Sequence, residues 1–271
     1  MSSGPTEYRG GRPAARSVSD DPVDLLELAV EMARAAGTSA LVGRRRHGTL
    51  TDATKSSATD EVTEHDRAAE RLILERLVDA RPDDAVLGEE GGDVTGTSGY
   101  TWLLDPIDGT TNFVYDLPSW CTSVAVSTED GPVAGAVYVP VTGELYAARR
   151  GGGATLDGRA IRCSSRSELH LALVATGFGY HAETRRAQAA RVAELIGSIR
   201  DVRRLGSAAI DLCHVAAGRV DAPEFTLDES LAAARTLDKW RAAIGLRFPF
   251  EAETADIPTV SGRPLVVAAH E

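Results

Sequence analysis

The amino-acid sequence predicts an α/β (α+β) fold in which helices cover a mixed β-sheet. Two amphipathic helical patterns occur before residue 85, and short apolar runs bounded by Gly and Pro follow them. Two further helical patterns come later, and helices and strands interleave without the regular alternation of a doubly wound sheet. The 271-residue chain is 43% hydrophobic, which is ample for a packed core.

The N-terminus differs in composition from the rest of the chain. Residues 1–20 are rich in Gly, Pro, Ser and Arg and contain almost no apolar side chains, a composition typical of a disordered tail. We therefore expect the folded domain to occupy residues 21–271.

The segment DPVDLLELAVEMARAAG predicts the first helix. Its apolar residues recur at helical spacing at Leu25, Leu28, Ala29, Met32 and Ala33. Gly37 follows them, and glycine is common just past a helix end, so we expect the helix to stop there.

The segment TEHDRAAERLILERLVDARP predicts the second helix. Thr63 and Asp66 have the spacing of a capping box, and Pro82 marks the end of the helix. The expected apolar stripe consists of Ile73, Leu74, Leu77 and Val78.

The later segments predict the sheet and its remaining helices. The runs AVLG, YTWLLD, WCTSVAVS, VAGAVYVPV, ELYAAR and LALVATGF have strand character. ETRRAQAARVAELIGSIR and GSAAIDLCHVAAGRVDA have helical patterns. The three glycines at 151–153 follow a hairpin pattern and open no helix, so they predict a turn and not a dinucleotide-binding loop.

Charge and cysteine content exclude several classes of function. The net charge of −11 repels nucleic acid and anionic membranes, so neither is expected as a partner. Cys121, Cys163 and Cys213 form neither an even set nor a CxxC pair, and we expect buried free thiols in a reducing compartment. The chain has no apolar run of membrane-spanning length and no secretory signal pattern, so we expect a cytoplasmic protein.

Two aspartates follow an apolar run in WLLDPIDGTTNF. Pro106 fixes its own φ and biases Asp105 towards an extended conformation, so we expect the strand to end there in a sharp turn that lets Asp105 and Asp108 face one point. Mg²⁺ prefers oxygen ligands, and the carbonyl of Ile107 between the aspartates is a further donor. Glu89, on its own Gly-flanked turn in LGEEGG, would complete the set.

A small turn directly follows this predicted metal site. Gly109, Thr110 and Thr111 can direct backbone N–H groups at a phosphate, more so if a helix starts there. The metal and phosphate sites are therefore expected to adjoin.

These motifs together resemble the signature of the inositol monophosphatase family, which belongs to the lithium-sensitive, magnesium-dependent sugar and polyol phosphatases. The resemblance extends to KSSATDEVTEHD, GGGATLDGRAI and RRLGSAAIDLCHVAAGRVDA, and it covers about residues 22–222. It implies a layered α/β sandwich, hydrolysis of a phosphate monoester of a polyol or sugar by Mg²⁺-activated water, and a homodimer.

The resemblance also implies a role for each matching residue. Glu89, Asp105, the Ile107 carbonyl and Asp108 would bind metal, and Asp66 would hold a further, weaker metal through water. Glu89 and Thr110 would activate the attacking water. The substrate-binding residues implied are Asp108, Gly109, Thr110, Gly206, Ser207 and Ala208, and Lys55 would order the site electrostatically.

The sequence departs from the family pattern over residues 223–262. The family's C-terminal metal-binding aspartate has no clear counterpart, because counting from Asp221 leads to Ala232 and WRAAIG has arginine in its place. The candidates for replacing it are Asp228, Glu229 and Asp238, and Glu224 lies one position before the place of a ring-contacting glutamate. PLVVAAHE again resembles the family's terminal strand.

This departure leaves alternatives to an inositol-phosphate phosphatase. One is a phosphatase-like protein of weakened catalysis that binds a ligand or partner. Others are phosphatases for histidinol phosphate, fructose 1,6-bisphosphate or a nucleotide bisphosphate, although the Thr-Asn-Phe that follows Asp-Gly-Thr favours the inositol branch.

Overall fold

A computed structural model describes residues 18–47, 51–54 and 61–221. The helices are α1 (Pro22–His47), α2 (Glu64–Ala80), α3 (Thr110–Val114), α4 (Ala182–Leu195) and α5 (Ala208–Ala216). The strands are β1 (Thr51–Thr54), β2 (Glu61–Thr63), β3 (Ala85–Gly88), β4 (Thr101–Asp108), β5 (Cys121–Thr128), β6 (Gly131–Val139), β7 (Glu144–Arg149), β8 (Gly153–Leu156), β9 (Arg159–Ile161), β10 (Leu173–Ala175) and β11 (Asp201–Arg203).

The first helix is longer than predicted, because α1 continues past Gly37 for ten residues. Gly37 is therefore not a C-cap, and that prediction is wrong. A Cβ at this position would lie 2.8 Å from Cγ of Pro140 and 3.0 Å from Oγ1 of Thr122. The glycine lets the helix backbone approach the sheet closely, which the helical pattern alone did not indicate.

The start of α2 confirms the predicted capping box. The Thr63 side chain accepts a hydrogen bond from the Asp66 amide, and the Asp66 carboxylate accepts one from the Thr63 amide. Ile73 and Leu77 are buried, whereas Val78 is exposed, so the predicted stripe is wrong at Val78.

The main sheet has seven strands in the order β3-β4-β5-β6-β7-β8-β9. β3 and β4 run parallel and the other neighbours run antiparallel, which confirms the predicted mixed sheet. β8 and β9 form the hairpin that follows the Gly151–Gly152 turn. β1 and β2 form a separate antiparallel pair. β10 and β11, which precede and follow α4 in the chain, pair in parallel.

Helices cover both faces of the main sheet. The large core cluster joins α1 and α2 to one face, including the buried residues Leu25, Met32, Ile73, Trp102, Val124 and Val126. The start of α5 packs on the other face through Ile210, against Cys121, Val139 and Tyr146. The structure is thus a layered α/β arrangement, as predicted.

Three details near the surface differ from expectation or extend it. Cys121 is buried, but Cys163 is exposed, so the expectation of three buried thiols is wrong for Cys163. The helical pattern of ETRRAQAARVAELIGSIR forms α4, but no residue of this helix is buried, so it does not pack into a core among the described residues. Val18, inside the predicted tail, packs against the large core cluster, and its amide donates to the carbonyl of Ala80.

No helix within the described residues is long and apolar enough to cross a membrane.

Candidate functional site

A β-bulge at the end of β4 places the two aspartates on one face of the sheet. Asp105 pairs with Ser123 and Asp108 pairs with Cys121, so three steps on β4 match two steps on β5. Residues two apart on a strand share a face, and the extra residue therefore brings Asp105 and Asp108 to the same face. This register agrees with the prediction that Asp105 and Asp108 face one point, in that both lie on one face of the sheet.

The bulge also corrects the predicted turn at Asp105. β4 continues through Pro106 and ends at Asp108. Proline has no N–H to donate to the neighbouring strand, and the bulge accommodates it because the regular pairing is interrupted there. The Pro106 carbonyl accepts a 2.7 Å hydrogen bond from Oγ1 of buried Thr122. The sharp turn follows at Gly109 instead.

The Asp108 carboxylate is tied to the N-terminus of α5. Its Oδ2 accepts hydrogen bonds from the Ser207 hydroxyl at 2.6 Å and from the Ala209 amide at 2.7 Å. The Ser207 hydroxyl also caps the helix by accepting from the Ile210 amide at 3.2 Å. A helix N-terminus attracts a negatively charged side chain, and these hydrogen bonds fix the Asp108 side chain at the start of α5. No hydrogen-bond donor of the described chain contacts its Oδ1.

Gly109 makes the turn between β4 and α3. Its φ of +94° is a left-handed conformation that favours glycine. A Cβ there would also lie 3.0 Å from the Ser119 carbonyl and 3.2 Å from the Gly206 carbonyl, so two other segments approach the turn closely. A short helix, α3, does begin at Thr110, which is the condition under which the sequence analysis favoured a phosphate site most. The Thr110 hydroxyl donates to the Ile107 carbonyl at 3.0 Å.

Asn112 links this turn to the segment before α5. Its Nδ2 donates to the carbonyls of Ser119 and Leu205, the latter at 2.7 Å. The predicted substrate-binding residues 206–208 are thereby held beside Gly109 and Asp108.

A cleft of about 450 Å³ opens at this junction. It is lined by Asp108, Ala175, Thr176, Gly177, Phe178, Tyr180, Arg204, Gly206, Ser207, Ala208, Asp211, Leu212 and Val215. The structure therefore brings Asp108 together with the three predicted residues of the 206–208 segment. Of the described residues that line the cleft, Arg204 is the one cationic side chain.

Asp211 is a cleft residue that sequence reasoning missed. It lies one helical turn beyond Ser207, whose carbonyl accepts from the Asp211 amide at 3.1 Å. Burial raises the pKa of Asp211, and the charge of Asp108 raises it further. The i, i+4 spacing from Ser207 was the signal that could have identified it, because such residues share a helix face.

Glu89 lies at the neighbouring strand end. It follows β3, and its amide donates to the Leu104 carbonyl at 3.2 Å, next to Asp105. Its side chain is exposed on the turn. The buried carboxylate of Glu70 on α2 holds this turn by accepting from the amides of Glu90 and Gly92, both at 2.9 Å. Sequence reasoning assigned no role to Glu70.

Asp66 is buried at the start of α2 and takes part in the helix cap. Its Oδ2 accepts from the Thr63 amide at 2.9 Å and from the Thr63 hydroxyl at 2.5 Å. Asp66 therefore has a structural role as part of the cap of α2. Its predicted contact with a metal through water stays a prediction.

The predicted metal ligands are all oxygen donors, which suits a hard cation such as Mg²⁺. Within residues 18–47, 51–54 and 61–221, however, no three side chains of His, Cys, Asp or Glu are grouped closely enough to hold a metal ion. The structure thus aligns Asp105 and Asp108 but does not bring Glu89 into a three-carboxylate group with them. Lys55, Glu224, Asp228, Glu229 and Asp238 lie outside the described residues.

Comparison with known proteins supports the resemblance. Residues 21–235 match the sequence profile of the Inositol monophosphatase family. The chain is 50% identical over 177 residues to the inositol-1-monophosphatase SuhB of Mycobacterium tuberculosis, an alignment that covers 62% of this chain and 61% of that protein. It is 40% identical over 200 residues to the Nus factor SuhB of Pasteurella multocida, covering 73% of this chain and 74% of that protein.

The fold is likewise similar to solved structures. The crystal structure of the extragenic suppressor protein SuhB from Bartonella henselae matches with a TM-score of 0.68 at 34% identity, covering 72% of this chain and 75% of that chain. The chain aligns with only about three fifths of the length of its mycobacterial relatives, but the family profile spans most of its residues. This chain therefore belongs to the Inositol monophosphatase family.

Proposed function

We propose that the protein is a Mg²⁺-dependent hydrolase that releases phosphate from a monoester of inositol or a similar polyol. One observation carries the proposal: the β4 bulge puts Asp105 and Asp108 on one face beside the Gly109 turn, and Asp108 lines a cleft at the start of α5. Family membership and the names of the relatives support the same reaction class.

The metal would be held at the strand ends. Asp105, Asp108 and the Ile107 carbonyl offer oxygen ligands on the bulge, Glu89 offers another from the next strand, and Asp66 would assist a weaker ion through water. When bound, Mg²⁺ would supply positive charge to the phosphate and make a nearby water more acidic. An acidic protein of net charge −11 needs local positive charge to hold an anionic substrate, and a bound divalent cation would supply it.

Thr110 and Glu89 would act on the attacking water. The Thr110 hydroxyl already donates its proton to the Ile107 carbonyl, so its lone pairs are left to accept a hydrogen bond from water. Such a bond would orient the water, and the Glu89 carboxylate would accept its proton. The amides of Gly109 and Thr110, at the start of α3, would donate to the phosphate.

The polyol would lie along α5, away from the bulge. Gly206, Ser207 and Ala208 line this part of the cleft, and Asp211 follows one helical turn after Ser207. Oδ1 of Asp211 is buried and has no hydrogen-bond partner among the residues that the structure describes, and it can accept a bond from a substrate hydroxyl. Arg204 would favour the anionic phosphate at the same wall.

The second candidate is a phosphatase-like protein that binds a partner. Two features motivate it: the family's C-terminal metal-binding aspartate has no clear counterpart, and relatives at 37–40% identity are named Nus factor SuhB. In this case the cleft would bind ligand without efficient turnover.

A phosphate-release panel separates these functions. The purified full chain would be assayed with inositol 1-phosphate, histidinol phosphate, fructose 1,6-bisphosphate and adenosine 3′,5′-bisphosphate, each with Mg²⁺ and with EDTA. We expect Mg²⁺-dependent release that is fastest from inositol 1-phosphate. A preference for another substrate would move the assignment within the phosphatases. No release from any of the four would contradict the proposal and favour the partner-binding protein.

A further inference from the structure

We propose that Glu70 is a positioning residue that fixes the turn carrying Glu89, and that Gly88 and Gly92 must be small because its carboxylate lies against them. The functional part of this inference rests on the proposed role of Glu89. The structural part does not, because it follows from contacts between α2 and residues 88–92.

The Glu70 carboxylate bridges the turn with both of its oxygens. Oε2 accepts from the Glu90 amide and Oε1 accepts from the Gly92 amide, each at 2.9 Å. The residue is only 4% exposed. A buried carboxylate needs such donors, and hydrogen bonds to a charged acceptor are among the stronger ones in proteins.

The glycines on either side of the turn are explained by the same carboxylate. A Cβ on Gly88 would lie 2.6 Å from Oε2 of Glu70, and the three atoms nearest to it all belong to Glu70. A Cβ on Gly92 would lie 2.6 Å from Oε1 of Glu70 and also 2.6 Å from Cδ1 of Leu74, so Glu70 accounts for this glycine together with its helix neighbour. Neither glycine has the positive φ that would require glycine for conformational reasons. The need for glycine at these positions is therefore one of space.

Glu70 can fix the turn because it stands on a rigid support. The capping box locks the start of α2, and Ile73 and Leu77 anchor the helix in the core. From the other side, the Glu89 amide donates to the Leu104 carbonyl of β4. Glu89 is thus held between the helix and the strand that bears Asp105.

One face of α2 would fix the positions of two predicted metal ligands, Asp66 and Glu89, relative to each other. Asp66 and Glu70 are four residues apart on α2 and therefore share a face. Asp66 is fixed by the cap and Glu89 by Glu70. Supporting residues of this kind commonly control metal affinity through the orientation of the ligands.

A carboxylate is required, because a glutamine offers only one acceptor and would direct its NH₂ group at a backbone N–H. The variant Glu70→Gln should therefore release one side of the turn, and Glu75→Gln, at an exposed position of the same helix, is the matched control. We expect amide hydrogen exchange at Glu90 and Gly92 to accelerate by about tenfold or more in Glu70→Gln, and not in the control. Unchanged exchange at both amides would overturn the proposal.

A double-mutant cycle tests the explanation of the glycines without metal or substrate. Gly88→Ala should lower the melting temperature by roughly 3–10 °C when Glu70 is present, because of the clash. In a Glu70→Ala background the same change should alter it by no more than about 2 °C. An equal loss in both backgrounds would show that Glu70 does not dictate the glycine.

Mg²⁺ titration calorimetry then tests the functional consequence. We expect Glu70→Gln to raise the Kd for Mg²⁺ by about tenfold or more, with Glu75→Gln unchanged. If the exchange and cycle results hold while the Kd stays at the wild-type value, Glu70 does not position a metal ligand, and that part of the proposal is wrong. If the wild type binds no Mg²⁺, the proposed function fails, while the exchange and cycle results still decide the structural part.

Discussion

Replacing Asp108 should destabilise the protein as well as impair the proposed reaction, because this carboxylate also caps α5. Its Oδ2 accepts from the Ser207 hydroxyl at 2.6 Å and from the Ala209 amide at 2.7 Å. Hydrogen bonds to charged groups contribute about 1.5–3 kcal/mol each. Alanine removes both hydrogen bonds and leaves the Ala209 amide without its acceptor. The Ser207 hydroxyl, in contrast, can rotate towards another acceptor. We expect a net cost of about 2–3 kcal/mol for Asp108→Ala.

Asparagine should cost roughly half as much, because its side-chain carbonyl can still accept from the Ala209 amide but carries no charge for the helix N-terminus. For a domain of this size, each kcal/mol lowers the melting temperature by about 2–4 °C, so Asp108→Ala should lose roughly 4–12 °C.

The assay is urea and thermal unfolding followed by circular dichroism in EDTA, which removes any contribution of bound metal. Asp130→Ala, at an exposed aspartate of the β5–β6 turn, is the control and should change stability by less than about 0.5 kcal/mol. An Asp108→Ala protein as stable as the control, or more stable than wild type, would refute the reasoning. It would mean that repulsion between the carboxylates of the site outweighs the hydrogen bonds to α5.

Two further predictions concern the neighbourhood of the site. Thr110→Ala should lower kcat by about a hundredfold with KM little changed. Thr110→Ser should retain most activity, because the hydroxyl and not the methyl group orients water. An effect of Thr110→Ala confined to KM would contradict this role. Gly37→Ala should destabilise the protein by about 1–3 kcal/mol in urea unfolding, because the new Cβ would lie 2.8 Å from Cγ of Pro140. This loss is expected although alanine favours helices. A more stable variant would show that helix propensity outweighs the close contact.

Patterns local in sequence predicted much of the fold. The capping box at Thr63 and Asp66 marked the start of α2, and the short apolar runs located β3 to β7 of the main sheet to within a few residues. The turn at Gly109 was also predictable, since it depends on the residues next to it. These features need no knowledge of distant parts of the chain.

Features that depend on distant contacts were not predictable in the same way. Gly37 has the sequence signature of a helix end, but it lies inside α1 because the helix passes close to Thr122 and Pro140. The roles of Glu70 and Asp211 depend on a loop and a strand end that are remote in sequence. Likewise, the sequence analysis predicted that Asp105 and Asp108 face one point because of a turn, whereas the actual cause is a register shift against β5 that appears only when the partner strand is known.

The most direct test of the proposed reaction is the rate of Mg²⁺-dependent phosphate release from inositol 1-phosphate by Asp105→Asn compared with wild type. Asp105 takes no part in the α5 cap, and asparagine preserves its shape, so we expect a folded variant whose rate falls by a factor of about a thousand or more. Near-wild-type release by a folded Asp105→Asn protein would contradict the account, and so would a wild type that releases no phosphate with Mg²⁺.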